Sequence, residues 1–358
     1  MTAFSRRDIV LAGLAFGSIG GGTALAAGRA PNDEKPPVRS EGTFPSLAGA
    51  SAWLNSAPLS REGLRGKTVL VNFWTYSCIN WMRAHPYVRA WSRAYADQGM
   101  VTIGVHTPEF DFERNVENVA RAARANDIDY PIAIDNDSAL WRAFSNQYWP
   151  ALYVIDARGR IRHHRFGEGE YAASEDAIRQ ALTEAGAVGV LPRAVVHTNP
   201  SELAADWDHL RTPETYLGYG RAERFASAGL RGRRQSRLYS LPETLKRDAW
   251  GLAGVWTVGE KHISVNEPGG RIACRFQARD AHLVMGPTQA GAGRRFRVLV
   301  DGAPPSGDRG VDTDADGRGI VDESRLYQLV RQQGTIADHR LEIEFLDRGV
   351  ELYSFTFG

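Results

Sequence analysis

A short apolar run that leads directly into a helix constrains the fold of this chain most. The run TVLVNFW at 68–74 is rich in β-branched and aromatic residues and is too short for a helix, which indicates a buried strand. Helical spacing begins just beyond Cys78, places Trp81 and Tyr95 on one apolar face, and ends at Gly99. Residues 68–99 therefore predict a strand, a tight turn and an amphipathic helix.

The same alternation of strand and helix continues to about residue 185. Apolar runs of strand length recur between segments with helical spacing, and the last two runs are separated by a tight turn. The pattern predicts a mixed sheet with helices on its faces. The further strands are expected at 100–106, 130–135, 151–156 and 161–166, and the further helices at 113–127, 138–144 and 174–185.

The second half of the chain has a different texture. Residues 191–245 carry Pro, Arg and Gly breaks with little periodicity, which predicts a linker that packs on the domains. Residues 246–358 are a succession of short alternating segments separated by turn signals, which is typical of a β-sandwich. The expected organisation is an α/β domain at 46–190, the linker, and an all-β sandwich domain.

The N-terminus has the pattern of a targeting signal. Residues 1–27 combine Arg6 and Arg7 with a Gly- and Ala-rich apolar stretch and a small-residue cleavage pattern, which predicts a twin-arginine export signal. A membrane anchor is the alternative, but the stretch is weakly apolar. Residues 28–45 predict a flexible leader. We expect a periplasmic or other extracytoplasmic protein that meets the membrane only during export.

Charge and cysteine content exclude several classes of protein. The 358 residues include 43 Lys and Arg against 42 Asp and Glu, so a clustered basic surface for nucleic acid is not expected. Two cysteines exclude a disulfide-stapled scaffold and a Cys-only zinc site. Cys274 alternates onto the same strand face as Ile272 and Phe276, which predicts a sandwich-core residue. Cys78, at a helix N-terminus, is in the position that favours a reactive thiolate.

Long motifs resemble those of a known family. A Cys at a strand-to-helix junction with Pro86 eight residues later resembles the thioredoxin superfamily. The segments LRGKTVLVNFWTYSCIN, GVHTPEFDFERNVENV, ALYVIDARGRIRHHRFGEGEY after Tyr148-Trp149-Pro150, and LYSFTFG resemble the exported part of DipZ-type thioredoxin-like proteins, whose redoxin domain is of the TlpA/ResA type. The resemblance runs from about Pro45 to Gly358.

The resemblance carries expectations for fold and site. It implies a thioredoxin-like α/β domain followed by a jelly-roll β-sandwich similar to carbohydrate-binding modules. It implies that Pro150 is a cis-proline facing Cys78 and that the backbone of Trp149 contacts a bound thiol or peptide partner. With Trp81, these two residues form the expected partner-binding set.

The chain departs from the family at one decisive position. DipZ-type proteins carry Cys-Ile-Asn-Cys where this chain has Cys78-Ile79-Asn80-Trp81, and full-length relatives also carry a membrane electron-relay domain. A dithiol oxidoreductase needs the second thiol to resolve its mixed disulfide. One interpretation is a monothiol oxidoreductase or weak peroxiredoxin-like antioxidant enzyme, in which Cys78 attacks a disulfide or peroxide and an external thiol resolves the product. The alternative is an inert Cys78 desolvated by Trp81, in a binding protein of the cell envelope that docks a protein or glycan.

Two polar residues are candidate assistants of the thiol. His106 and Glu109 lie at the C-terminal end of the second strand, at the edge where α/β sheets place their ligands. His106 is expected to polarise a peroxide or stabilise the thiolate, and Glu109 to accept a proton. The structural alternatives are a loop-closing hydrogen bond by His106 and a helix cap by Glu109.

Two patterns in the second domain have weaker functional interpretations. Asp312 to Glu323 fits a calcium-loop spacing, but the strand-like flanks favour a solvated acidic turn. Trp250, Trp256, Tyr216 and Tyr219 are either a sugar-stacking platform for an envelope glycan or core aromatics. Neither interpretation of Cys78 requires a metal or an organic cofactor.

Overall fold

The computed structural model describes residues 41–228, 234–289, 291 and 293–358. The predicted export signal at 1–27 and the leader up to residue 40 lie outside the described residues. Residues 40–358 form one compact unit. In the part of the chain that the structure describes, no helix has the combination of length and apolar character that crossing a membrane requires.

The first domain is a seven-stranded sheet with helices on both faces. Its elements are β1 (Gly42–Thr43), β2 (Ala52–Leu54), β3 (Thr68–Trp74), α1 (Ile79–Tyr95), β4 (Met100–His106), α2 (Val116–Ala125), β5 (Ile132–Ile134), α3 (Ala139–Ala143), β6 (Ala151–Ile155), β7 (Arg160–Phe166) and α4 (Tyr171–Glu184). The sheet order is β1-β7-β6-β3-β4-β5-β2.

The order of the strands defines a thioredoxin-like fold, as predicted. Strand β3 lies at the centre, parallel to β4 and antiparallel to β6. Its side chains alternate between two cores: Leu70 and Trp74 pack with helices α1, α2 and α4, whereas Val71 and Phe73 pack with α3. Because β3 is fully buried and ends at Trp74, the chain emerges at the edge of the sheet just before Cys78.

Among its described residues, the second domain contains strands, connecting turns and one short 3-10 helix, Ser306–Asp308. Its strands are β8 (Thr215–Tyr216), β9 (Ser236–Tyr239), β10 (Trp250–Val258), β11 (Ile263–Val265), β12 (Gly270–Gln277), β13 (Asp280–Pro287), β14 (Arg294–Val300), β15 (Arg318–Val321), β16 (Arg325–Arg331), β17 (Asp338–Phe345) and β18 (Val350–Phe357). The predicted all-β class is confirmed. Strands β8 and β9 fall within the predicted linker, because residues from 215 onward pair with β18 and β10.

Strand β10 joins two sheets that enclose one core. Its first half pairs with β12, in the sheet β15-β14-β17-β12, and its second half pairs with β9 and β11, next to β18, β13 and β16. Aromatic pairs bridge the two sheets, with ring centroids 5.5 Å apart for Phe276 and Phe357 and 6.3 Å apart for Phe296 and Tyr327. Cys274 is 4% exposed in this core, which confirms its predicted structural role.

An apolar cluster connects the two domains. We call this cluster the domain interface, and its buried members are Ile79, Phe110, Val284, Leu326 and Tyr353. The first two belong to the first domain and the other three to β13, β16 and β18. The second domain is therefore built onto the part of the first domain where α1 begins.

A buried ion pair also holds α1. The Arg83 guanidinium lies 3.3 Å from the Glu168 carboxylate, and their side chains are 2% and 6% exposed. Arg83 also approaches Asp280, the first residue of β13, at 4.0 Å. Removing one member of such a pair leaves an uncompensated charge, which costs more than the pair itself contributes.

We predict that Arg83→Met lowers the free energy of unfolding by about 3–5 kcal/mol, because it leaves the Glu168 carboxylate buried without a counter-charge. Adding Glu168→Gln should recover part of this loss. Urea denaturation followed by tryptophan fluorescence measures both. The matched control is Arg93→Met on the same helix, whose pair with Asp129 is exposed and worth at most about 1 kcal/mol. Equal losses for the two single variants would contradict the prediction.

Candidate active site around Cys78

Cys78 occupies the N-cap position of α1, a helix of 17 residues without an acidic residue in its first turn. The N-terminus of a helix carries a partial positive charge, which favours a thiolate over a thiol. The Cys78 sulfur lies 3.7 Å from the carbonyl oxygen of Trp149. The peptide bond between Trp149 and Pro150 is cis, as the resemblance implied.

Trp81 is a core residue. It is fully buried, and its ring lies between those of Trp74 and His85, with centroids 4.6 Å and 4.9 Å away. Its indole Nε1 donates a hydrogen bond to Asn72 Oδ1 at 3.3 Å, so the side chain points toward β3. The expectation that Trp81 contacts a partner is therefore corrected, because a fully buried ring offers a partner no surface.

No other thiol can replace the missing resolving cysteine within the chain. Cys274, the only other cysteine in the sequence, is buried in the core of the second domain. Burial raises the pKa of the Cys274 thiol, which keeps it protonated and unreactive. A reaction at Cys78 therefore needs a second thiol from another molecule.

His106 does not assist the thiol by its charge, contrary to one expectation. The ring is fully buried beside Trp74 and Tyr76, and burial lowers the pKa of His106 to about 3. A neutral imidazole adds no positive charge to the site. The loop-closing alternative is also not observed: within the described ranges, neither ring nitrogen has a hydrogen-bond partner.

Glu109 is directed to the second domain instead of the thiol. Its carboxylate accepts a hydrogen bond from the Tyr216 hydroxyl and lies 3.4 Å from the Arg221 guanidinium, which covers the Tyr216 ring. The carboxylate is therefore engaged by residues of the second domain, which disagrees with its expected role as proton acceptor for the thiol. It does not cap α2 either, since Asn115 accepts from the first two available amides of that helix.

Glu113 is a buried residue of the site that the sequence interpretation missed. Its carboxylate accepts from the Ser77 hydroxyl at 2.5 Å and from the backbone amides of Glu109 and Phe110 at 2.6 Å and 2.9 Å. These bonds tie the residue before Cys78 to the loop after β4. Burial raises the pKa of Glu113 to about 7. A Glu at the third position of a short helical turn, the capping-box spacing, was the available signal.

The weaker functional candidates of the second domain are engaged in its fold. Trp250 and Trp256 are fully buried, so they cannot stack against a glycan. Asp312, in the loop after β14, pairs with Arg325 at 2.8 Å, and Glu323, between β15 and β16, pairs with Arg121 at 3.3 Å. Among the residues that the structure describes, no group of three or more His, Cys, Asp or Glu side chains is arranged to hold a metal ion.

The comparisons with known proteins agree with this fold and site. Residues 39–182 match the Redoxin family, and residues 212–358 match the thioredoxin-like C-terminal domain family. The thiol-disulfide oxidoreductase YkuV of Bacillus subtilis is 36% identical over 142 residues, which are 39% of this chain and 95% of that protein. The chain therefore belongs to the thioredoxin-like thiol-disulfide oxidoreductase family.

Within that family, the chain is a homologue of DipZ. It is 36% identical to Protein DipZ of Mycobacterium tuberculosis over 332 residues, which are 91% of this chain. The match covers both domains, and DipZ of Mycobacterium bovis gives the same values. The chain spans 44% of the length of these DipZ proteins.

The buried Glu113 predicts a pH-dependent stability. Its pKa in the folded protein, about 7, lies above its ordinary value of 4.5, so the folded state binds the proton more tightly than the unfolded state. The free energy of unfolding should therefore fall as the pH rises from about 4.5 to about 7, by an amount on the order of 3 kcal/mol.

We expect the variant Glu113→Gln to lose this part of the pH dependence, because its side chain stays neutral. Urea denaturation at a series of pH values measures the slope. Glu117→Gln, at an exposed position on α2, is the control and should leave the slope unchanged. A Glu113→Gln variant with the slope of the unmodified protein would contradict the prediction.

Proposed function

We propose that this protein is a monothiol thiol-disulfide exchange protein in which Cys78 is the nucleophile. The observation that carries the proposal is the position of its sulfur, at the N-terminus of α1 and 3.7 Å from the Trp149 carbonyl beside a cis-proline. The helix N-terminus favours a reactive thiolate at this position, whereas position 81 is a buried indole. Cys78, Trp149 and Pro150 are the proposed site.

The proposed reaction consists of two exchange steps. In the first, the Cys78 thiolate attacks one sulfur of a disulfide RSSR, forms a mixed disulfide and releases the thiolate RS⁻. In the second, an external thiolate R′S⁻ attacks the R sulfur of the mixed disulfide, forms RSSR′ and releases the Cys78 thiolate. The electrons come from the external thiol, and no metal or organic cofactor takes part.

The residues around the thiol favour disulfide exchange over peroxide reduction. A peroxidase needs a group that polarises the peroxide or receives its proton. His106 is buried and neutral, and Glu109 is bound to Tyr216 and Arg221. The peroxidase interpretation therefore has less support, and oxidation of Cys78 by peroxide serves below as a competing outcome.

A docking protein without turnover is the second candidate. The burial of Cys78, which is 6% exposed, favours this interpretation, because exchange requires access to the sulfur. In that case the retained fold would bind a thiol or disulfide partner without reacting with it.

We include in either proposal an extracytoplasmic location, supported by the twin-arginine pattern at Arg6 and Arg7.

We predict that the native protein forms a mixed disulfide at Cys78 when incubated with oxidised glutathione. Intact and peptide mass spectrometry should place the adduct on Cys78 and leave Cys274 unmodified, because the latter is buried in the sandwich core. Reduced thiol should remove the adduct. Cys78→Ser and Cys274→Ser are the paired controls.

Two results would count against exchange at Cys78. Modification of the urea-unfolded chain without modification of the native protein would favour the docking protein. A sulfenic acid formed by peroxide faster than the mixed disulfide would favour the peroxidase.

We also predict that Trp81→Cys gains disulfide reductase activity, because it restores a second thiol three residues after Cys78. Trp81→Ala is the matched control, since it removes the same indole without adding a thiol. Both variants should lose about 3–5 kcal/mol of stability from the cavity between Trp74 and His85. Reduction of oxidised glutathione by stoichiometric amounts of the pre-reduced variants measures the activity: Trp81→Cys should release two glutathiones per protein and Trp81→Ala one, and equal yields from the two folded variants would refute this prediction.

A further inference from the structure

The second domain packs against the residue that follows the thiol. Cys78 is 6% exposed, and Ile79, the residue that follows it, is 3% exposed. Ile79 is buried by Phe110 of its own domain and by residues of β13, β16 and β18 in the domain interface. A partner approaching the first turn of α1 from this side would meet the second domain first.

Polar contacts surround the apolar centre of this interface. Between described residues, three ion pairs connect the two domains in addition to the contact of Arg83 with Asp280: Glu109 to Arg221 at 3.4 Å, Asp111 to Lys261 at 2.7 Å and Arg121 to Glu323 at 3.3 Å. The rings of Phe110 and Phe112 also contact that of Tyr353, with centroids 5.1 Å and 4.9 Å apart. An apolar centre with a charged rim is the composition of a stable interface, so the contact between the two domains is a stable part of the fold.

The other side of the thiol is also firmly held. The Trp149 indole donates a hydrogen bond to the carbonyl of Thr107 at 3.0 Å and lies on the Trp141 ring, with centroids 4.2 Å apart. Trp149 is half-buried and its carbonyl faces the sulfur. The approach to Cys78 is therefore bounded by the domain interface on one side and by an anchored aromatic loop on the other.

We propose that the second domain restricts Cys78 to low-molecular-weight disulfides and excludes the disulfides of folded proteins. This inference rests on the proposed exchange function and specifies its substrate class. A small disulfide can reach the sulfur end-on, whereas a folded protein must lay a broad surface around the thiol, where β13, β16 and β18 already lie. Leu326 and Val284 thereby determine specificity without touching the reacting atoms.

The test compares two disulfide probes on the full chain. Bis(2-hydroxyethyl) disulfide is the small probe and insulin the folded-protein probe, and mass spectrometry follows mixed-disulfide formation at Cys78. Each rate constant is divided by that of free cysteine with the same probe, which removes the intrinsic reactivity of the probe. We expect the relative rate with insulin to be lower by about a hundredfold, because insulin must wait for the interface to open.

Interface variants then test the cause. Leu326→Ala weakens the apolar centre, and Leu341→Ala removes a leucine of equal burial from the sandwich core as its control. Lys261→Glu faces Asp111 with a like charge, and Lys246→Glu at an exposed position is its control. Both interface variants should speed the insulin reaction by about tenfold and change the small-probe rate less than about threefold, while the controls leave the ratio unaltered.

The possible failures are distinguishable. Equal relative rates of the two probes with the unmodified protein would overturn the substrate restriction while leaving the exchange function intact. Folded interface variants whose insulin rate stays unchanged would overturn the role of the second domain. If neither probe modifies native Cys78 although both modify the unfolded chain, the exchange function itself fails and this inference fails with it.

Discussion

The first turn of α1 is buried on two flanks, and the rest of the site depends on this packing. Trp81 fills the space between Trp74 and His85 and bonds Asn72 of the central strand, while Ile79 is buried against the second domain. Cys78 immediately precedes these two anchors in the chain. Its position at the helix N-terminus is therefore fixed by side chains next to it in the sequence, which bury apolar area in opposite directions.

The loop after β4 connects the thiol to the second domain. Glu113 binds Ser77, the neighbour of Cys78, through one carboxylate oxygen and holds the loop backbone through the other. Phe110 and Glu109 of the same loop contact Tyr353 and Tyr216. A single short segment thus positions the active-site turn and contributes to the domain interface. A shift of the turn therefore displaces the interface, and a shift of the interface displaces the turn.

Sequence patterns predicted the elements whose periodicity is local and missed those created by tertiary pairing. The run at 68–74 and the helix after Cys78 are where the apolar spacing placed them. Strands β8 and β9 have two and four residues and exist because β18 and β10 offer them edges, which no local pattern encodes. Periodicity also placed Trp81 on the apolar face of α1. The structure agrees with that placement and not with the expected contact between Trp81 and a partner.

The candidate site was predictable in its position along the chain but not in the direction of its side chains. His106 ends β4 and Glu109 follows it, at the C-terminal end of that strand as predicted. However, His106 turns inward against Trp74, and Glu109 turns outward because Tyr216 and Arg221 supply a donor and a charge there. Those partners lie more than a hundred residues away in sequence. The direction of a short polar side chain depends on such distant partners, which sequence spacing does not contain.

Burial of the Cys78 sulfur also determines which sulfur of the mixed disulfide is attacked in the second step of the proposed exchange. A mixed disulfide offers an incoming thiolate two sulfur atoms, and attack at the protein sulfur only replaces one adduct by another. In this site Cys78 is 6% exposed, whereas the sulfur of the bound group is the outer one. Attack at the outer sulfur releases Cys78 as a thiolate at the N-terminus of α1, where the helix stabilises the negative charge. The packing that restricts the substrate therefore also favours the productive resolution. The chain requires an external thiol for this step because Trp81 stands in place of a second thiol.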